Sequence, residues 1–301
     1  MVNTLIVVPQ RCKGLHQQRP HASDTKTIAG KTMAYAQISD SKGQSFQLYY
    51  EEHGQGQPLL LIRGLGRSSR FWGPVVSGFA EQFRVIVFDN RGIGRSQAPK
   101  GFYNTAALAA DCAALLNELG VDNAHVFGMS LGGMIAQQVA LGHGHKVDKL
   151  VLGATTPGQR CGRKPDPQLI ARIAAASAQS RPVRNKITAS AILSAPFLRD
   201  NPQILDTWAD HFEREPLGNY DYVRQALAAR GHDTWDALPG LDHQTLVITG
   251  DADKLMPPFN SNLLAHRIPN TKLVFLPGVG HDFTTEQPSE SVRIVTDFLR
   301  Q

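Results

Sequence analysis

The sequence predicts an α/β protein: a doubly wound, mostly parallel sheet with an inserted α-helical cap. Three observations carry that expectation. Short apolar runs ending in glycine alternate with segments of helical period. The alternation stops between residues 156 and 238, where helical signals continue without a convincing strand and prolines at 165, 167, 182, 196, 202 and 216 divide the stretch. It then resumes to the last residue. Strands alternating with helices imply parallel strands joined by crossovers. A purely helical interruption reads as a cap over the C-terminal edge of that sheet.

Taken in order, residues 1–43 stand apart: "RCKGLHQQRPHASDTKT" is polar, lacks a period and carries no acidic residue before Asp24. They are expected to form a loosely ordered extension, with Met33 a candidate natural start. "SFQLYYEEHG" alternates and ends in glycine, as a hairpin strand would. "PLLLIRG" (58–64) and "RVIVFDNRG" (84–92) are continuous apolar runs, which suit strands buried on both faces. Residues 105–119 have helical period, with Thr105 placed to cap and Gly120 to stop. "AHVFGMS" then reads as strand, "LGGMIAQQVAL" as helix and "VDKLVLGAT" (147–155) as strand. After the interruption, "QTLVITGD" (244–251) and "TKLVFLPG" (271–278) are strands, and "SESVRIVTDFLRQ" closes the chain as an amphipathic helix. The expected organisation is an extension at 1–43, a core from 44–155 and 239–301, and a helical cap at 156–238.

Composition excludes several classes. With 42% hydrophobic and 19% charged residues, the chain can bury a sizeable core. The net charge of +5 comes from scattered Lys and Arg, without a basic stripe or interleaved aromatics, so no nucleic-acid partner is expected. No apolar run approaches the ~18–20 residues of a membrane span. The run from Leu5 to Pro9 is also shorter than the ~7–15 residues of a secretory core. Cys12, Cys112 and Cys161 form neither a disulfide framework nor a metal knuckle. Reduced thiols and a cytoplasmic location are expected.

The chemistry concentrates in "HVFGMSLGG", where a hydroxyl sits between two glycines at a strand-to-helix turn. Such a turn forces the hydroxyl residue into a strained conformation and needs small neighbours two positions away on each side. Gly128-Met129-Ser130-Leu131-Gly132 meets that need. The turn lifts the Ser130 oxygen toward a helix N-terminus, whose free amides favour developing negative charge. A serine needs a base, and the base needs an orienting acid. Both follow in chain order: Asp251 and Asp253 just beyond a strand, then His281 in a glycine-rich loop. Asp251 directly follows the strand-end Gly250 and suits a turn; Asp253, further out at the rim, is the better acid. His143 and His145 read as surface residues.

With these pieces in hand, the chain resembles the α/β-hydrolases from about Phe46 to Arg300. It is similar to the serine hydrolases of the enol-lactonase and methylesterase-like type. The resemblance rests on "GMSLGGMIAQ" (128–137), "FDNRGIGRS" (88–96), "GDADKLMP" (250–257) and "GVGHDF" (278–283). It implies Ser130 as nucleophile, Asp253 as acid and His281 as base. It also implies an oxyanion hole at the backbone amides of Leu65 and Leu131, with no metal and no cofactor. One departure stands out: Arg63-Gly64 replaces the His-Gly of many members, and the sequence leaves open whether Arg63 faces solvent or pairs with an acid. Asp89 and Arg91 are expected to hold loops.

The expected reaction is hydrolysis of a small or medium carboxylic ester or lactone through an acyl-enzyme on Ser130. Phe71, Trp72, Trp208 and Phe212, with Tyr220 and residues 189–198, are candidate substrate walls, although the same residues suit a helix core. Two alternatives stay open. A C–C bond hydrolase or cofactor-free perhydrolase would use the same three residues, and a non-hydrolytic receptor would keep the pocket without turnover. The physiological substrate and the oligomeric state are not legible.

Overall fold

The structure, a computed structural model, describes residues 26–28, 31–176, 179–215 and 217–301. Among these residues, nine strands form one sheet: β1 (Lys26–Ile28), β2 (Lys31–Ser39), β3 (Ser45–His53), β4 (Pro58–Ile62), β5 (Arg84–Phe88), β6 (Ala124–Met129), β7 (Val147–Gly153), β8 (Thr245–Gly250) and β9 (Thr271–Leu276). Their order is β1-β2-β3-β5-β4-β6-β7-β8-β9. The pairs β1/β2, β2/β3 and β3/β5 are antiparallel, and every later pair is parallel. This is the doubly wound, mostly parallel sheet that the sequence predicts.

The apolar runs are continuous because both faces of the sheet are covered. In β4, Leu60 and Ile62 pack with Leu115, Leu116, Ile135 and Val139, which belong to α2 (Thr105–Glu118) and α3 (Leu131–Gly142). Leu59 and Leu61 face the other way, toward Phe79 of α1 (Val75–Ala80) and toward Val295 and Phe298 of the C-terminal helix Pro288–Leu299. Side chains alternate across a strand, so a strand between two helical layers must be apolar at every position. The start of α2 differs from expectation. Asn104, in extended conformation, caps the helix by accepting from the Ala107 amide at 2.9 Å. Thr105 is the first helical residue and lies buried, 3.1 Å from His232 Nδ1.

The expected extension requires a larger correction. Residues 1–25 lie outside the described residues, but Lys31–Ser39 is a full strand of the sheet. It pairs residue for residue with β3, from Lys31 opposite His53 to Ser39 opposite Ser45. A start at Met33 would remove the first two of those pairs. Ala34, Ala36 and Ile38 are buried on one side, while Gln37 and Ser39 are exposed on the other. The period of two is present in "KTMAYAQIS". It was masked because two of its three inward positions are alanine, whose weak hydrophobicity barely registers in a sequence pattern.

Among the described residues, the α-helices between β7 and β8 are α4 (Pro167–Ala176), α5 (Arg181–Ile192), α6 (Ala195–Asp200), α7 (Ile204–Arg214) and α8 (Asn219–Arg230). The segment leaves and rejoins the core at one place. Gly158 bridges Asp233, and the Thr234 amide donates to Pro157 O at 2.8 Å.

Because Ile38 is buried in the main core cluster, Ile38→Ala should cost about 2–5 kcal/mol of stability. Urea denaturation reads this directly. A loss below about 0.5 kcal/mol, the size of an ordinary surface substitution, would show that β2 does not pack as described.

Candidate active site

One residue separates β6 from α3. Ser130 makes the whole turn, with φ 58° and ψ −120°. Such a conformation costs a non-glycine residue on the order of 1–3 kcal/mol and persists only where the surroundings impose it. They do so here by close approach. A Cβ on Gly128 would lie 2.1 Å from Gly132 O, and one on Gly132 would lie 1.9 Å from Ile62 O. Neighbouring β7 secures the turn: the Ser130 amide donates to Gly153 O at 2.8 Å, and the hydroxyl of Thr155 donates to Ser130 O at 2.7 Å. Leu131 opens α3, so its amide is among the first-turn donors that have no intrahelical acceptor.

The loop after β4 reaches the same point. A Cβ on Gly64 would meet Ser130 Cβ at 3.1 Å and Oγ at 3.6 Å. Leu65 follows at the same rim, in a turn closed by the Arg67 amide donating to Gly64 O at 3.2 Å.

Asp253 and His281 come together from two loops. His281 Nδ1 lies 2.7 Å from Asp253 Oδ2, and both side chains are buried. The other carboxylate oxygen, Oδ1, accepts from the amides of Leu255 at 2.9 Å and Met256 at 2.7 Å, which fixes the carboxylate plane. Gly250 lets the histidine loop cross the end of β8, because a Cβ there would lie 2.1 Å from Val279 O. Asp251 is exposed and accepts from the Gly278 amide at 2.7 Å, a turn-holding contact.

Arg63 is buried and paired. Its guanidinium forms an ion pair with Asp282, lies 3.2 Å from Thr284 Oγ1 and 3.0 Å from Met129 Sδ, and stacks on Trp72 at 4.8 Å. Met129 precedes Ser130 and Asp282 follows His281, so one side chain braces both neighbours. Burial alone would raise the Asp282 carboxyl. The Arg63 guanidinium, the Thr284 hydroxyl, Arg67 and His281 outweigh it and hold the group below its usual range.

Of the candidate walls, Phe71, Trp208 and Phe212 meet, with ring centroids of Phe71 6.1 Å from Trp208 and 5.2 Å from Phe212. Trp72 does not join them. It packs in the sheet core, 5.1 Å from Phe127. The tight turn Ser69–Trp72 is a 3₁₀ helix, and with three residues per turn its adjacent side chains diverge by a third of a circle. Tyr220 is exposed beside Phe102, away from this box.

One other group, Glu286, escaped the sequence reading, whereas Asp89 and Arg91 hold loops as expected. Glu286 accepts from the Gly280 amide at 3.0 Å, the Ser194 amide at 2.8 Å and the Ser194 hydroxyl at 2.5 Å; burial pushes its carboxyl above the usual range against those bonds. Asp89, fully buried, accepts from the Ser69 amide at 2.7 Å and the Arg95 amide at 2.9 Å, while Arg91 pairs with buried Asp111. Among the described residues, no three His, Cys, Asp or Glu side chains gather as a metal site would require. Nor, among them, is any helix long and apolar enough to cross a membrane.

Arg63→Ala would leave the Asp282 carboxylate buried without its partner and should cost about 3–5 kcal/mol near neutral pH. Asp282 takes up a proton less readily in the folded chain than in the unfolded one. Its contribution is therefore complete above the unfolded value of about 3.9 and is lost as pH falls through that value toward the depressed folded one. Denaturation at several pH values checks both points. An Arg63→Ala protein as stable as the parent would show that the pair contributes nothing.

Comparison with known proteins agrees with this architecture. The sequence model of a family described as "alpha/beta hydrolase fold" matches residues 57–288. A relative from Serratia proteamaculans, provisionally named as the carbamate hydrolase RutD, is 30% identical over 84% of this chain and 96% of its own. Among solved structures, Est816, described as an N-acyl homoserine lactone degrading enzyme, is 28% identical with a TM-score of 0.73, over 87% of this chain and 99% of its own. The enol-lactonase from Burkholderia xenovorans LB400 shares the fold with a TM-score of 0.77 at 24% identity, over 88% of this chain and 100% of its own. A serine held at a strand-to-helix turn, a sheet of this order and a family match across most of the chain converge: the protein belongs to the alpha/beta hydrolase fold family.

Proposed function

We propose that the protein is a serine hydrolase that cleaves a small or medium carboxylic ester or lactone through an acyl-enzyme on Ser130. The observation that carries this reading is the 2.7 Å contact between His281 Nδ1 and Asp253 Oδ2 at the sheet edge where Ser130 is held at φ 58°.

The chemistry follows from that placement. Asp253 accepts the Nδ1 proton of His281, which leaves Nε2 as the basic nitrogen. Nε2 takes the Ser130 hydroxyl proton as Oγ attacks the substrate carbonyl carbon. The carbonyl electron pair moves onto oxygen, and the amides of Leu65 and Leu131 hold that charge; one such donor is typically worth ~10²–10³ in rate. As the tetrahedral adduct collapses, the bond to the leaving oxygen breaks and His281 gives it the proton. With a lactone the freed alcohol stays tethered to the acyl group. Water, deprotonated by the same nitrogen, then attacks the acyl-enzyme and restores Ser130. The lactone-degrading relative supports the substrate class, and Phe71, Trp208 and Phe212 supply an apolar wall for it.

Ser130→Ala should abolish hydrolysis of p-nitrophenyl acetate in a protein of unchanged circular dichroism, since loss of a triad nucleophile can cost ~10⁶ in kcat. Retention of more than about a tenth of the rate would remove Ser130 from the mechanism. Asp253→Asn should lower kcat by about 10⁴, because an amide favours the wrong imidazole tautomer. Among the described residues the Asp251 carboxylate accepts from the Gly278 amide and not from His281, so Asp251→Asn should cost far less. The opposite ranking of the two variants would move the acid to Asp251.

A further inference from the structure

We propose that Arg67 is an anion subsite beside Ser130, and that the preferred ester or lactone carries a carboxylate on the portion entering the Phe71–Trp208–Phe212 box. This deepens, and rests on, the serine-hydrolase reading.

Arg67 is 9% exposed, and among the described residues its Nη1 is fully enclosed without a hydrogen-bond partner. The other buried arginines described are all answered by a carboxylate: Arg63 by Asp282, Arg91 by Asp111 and Arg224 by Asp221. Arg67 instead faces aromatic rings, with its guanidinium carbon 4.2 Å from Phe71, 4.2 Å from Trp208 and 5.1 Å from Phe212. Ring faces attract a cation. They leave the in-plane N–H donors of a guanidinium unsatisfied, and those donors match a carboxylate edge.

The charges around Arg67 do not close the account. Asp282 attracts it but is already engaged by Arg63 and by the Thr284 hydroxyl at 2.7 Å. Arg63 repels it, and Tyr222 is a weak partner. Burial accordingly pushes the Arg67 guanidinium down to about 9, still charged at neutral pH. Two further buried polar atoms beside it lack partners among the described residues, one on the same loop and one on α8. They are Ser68 Oγ and the Nε2 of Gln225, whose Oε1 holds the Gly66 amide at 2.8 Å. A bound carboxylate would supply the missing acceptor.

Placement makes this a substrate subsite. The Arg67 amide closes the turn on Gly64, and Gly64 lies against Ser130. Trp208 and Phe212 come from α7, so the anion would sit where the helical segment meets the oxyanion loop. The rings on three sides favour an apolar link between the carboxylate and the scissile carbonyl.

The test pairs each carboxylated ester with a neutral one of similar size: monomethyl glutarate with methyl pentanoate for the acyl side, and 4-acetoxybutanoate with butyl acetate for the alcohol side. In the parent protein one carboxylated member should exceed its neutral partner in kcat/KM. Arg67→Met should erase that preference, mostly through KM, by about tenfold to a hundredfold, the size of a charge-assisted hydrogen bond. Arg67→Lys should recover part of it. Without ligand, Arg67→Met should melt no lower than the parent, because it removes a buried charge that has no anionic partner; a structural arginine would behave oppositely. Equal losses on both members of each pair, or no carboxylate preference in the parent, would overturn the subsite. Glutarate itself, titrated calorimetrically into Ser130→Ala and into the Ser130→Ala/Arg67→Met double variant, separates this proposal from the chemistry. Binding to the first and not the second supports the subsite even if the serine reading fails, and equal binding to both refutes it.

Discussion

The close approach of Gly128, Gly132 and the end of β4 governs the candidate site. With side chains at either glycine, α3 could not start one residue after β6, and Ser130 would relax out of its positive φ. The approach also fixes where everything else must be. β6 lies between β4 and β7, so the loop after β4 and the backbone of β7 both reach Ser130 without long excursions. The run of parallel strands ends on one edge, and a ligand site in such a sheet forms outside those ends. Gly64, Asp253 and His281 arrive there from β4, β8 and β9. The strain at Ser130 is held by the sheet's own packing, and no flexible element has to maintain it.

Arg63 and Asp282 show a different kind of constraint. A buried ion pair is weak evidence for stability, since desolvation offsets much of the attraction. Its geometric effect is clearer. The pair joins the end of β4 to the residue after His281, and the sulfur contact with Met129 adds the residue before Ser130. Three segments far apart in sequence are thereby held to one register. The loops fixed by Asp89 lie beside them, on the turn that carries Phe71.

Much of this was readable from the sequence, for identifiable reasons. The strands β4 to β9 are bounded by glycines, and the apolar runs of β4 to β8 reflect burial on two faces, while edge strand β9 leaves Lys272 and Phe275 exposed. The Ser130 turn has a local signature, because the steric demand falls on residues two positions away. The choice between Asp251 and Asp253 rested on distance from the strand end, and the contacts of the two residues differ in the expected sense. What stayed hidden depends on distant or subtle partners. β2 carries its period on alanines. Asn104, one residue before Thr105, takes the cap because its backbone is extended. Trp72 and Phe71 are adjacent yet join different clusters, which the 3₁₀ turn decides. The partners of Arg63 and Glu286 are 219 and 92 residues away. For Arg67, the informative feature is that its Nη1 has no hydrogen-bond partner among the described residues, and a sequence does not record missing partners.

The histidine loop is bonded to the helical segment as well as to the sheet. The His281 amide donates to Ile192 O at 2.7 Å and the Asp282 amide to the same oxygen at 3.2 Å, while Glu286 holds Ser194. Ile192 ends α5, and Ser194 begins the turn into α6. These bonds make the α5–α6 corner and the imidazole a single mechanical unit. Moving that corner relative to the sheet would break two backbone–backbone bonds and the two Ser194–Glu286 bonds, or displace His281 with it. The position of the imidazole is therefore set by the helical segment as much as by the sheet.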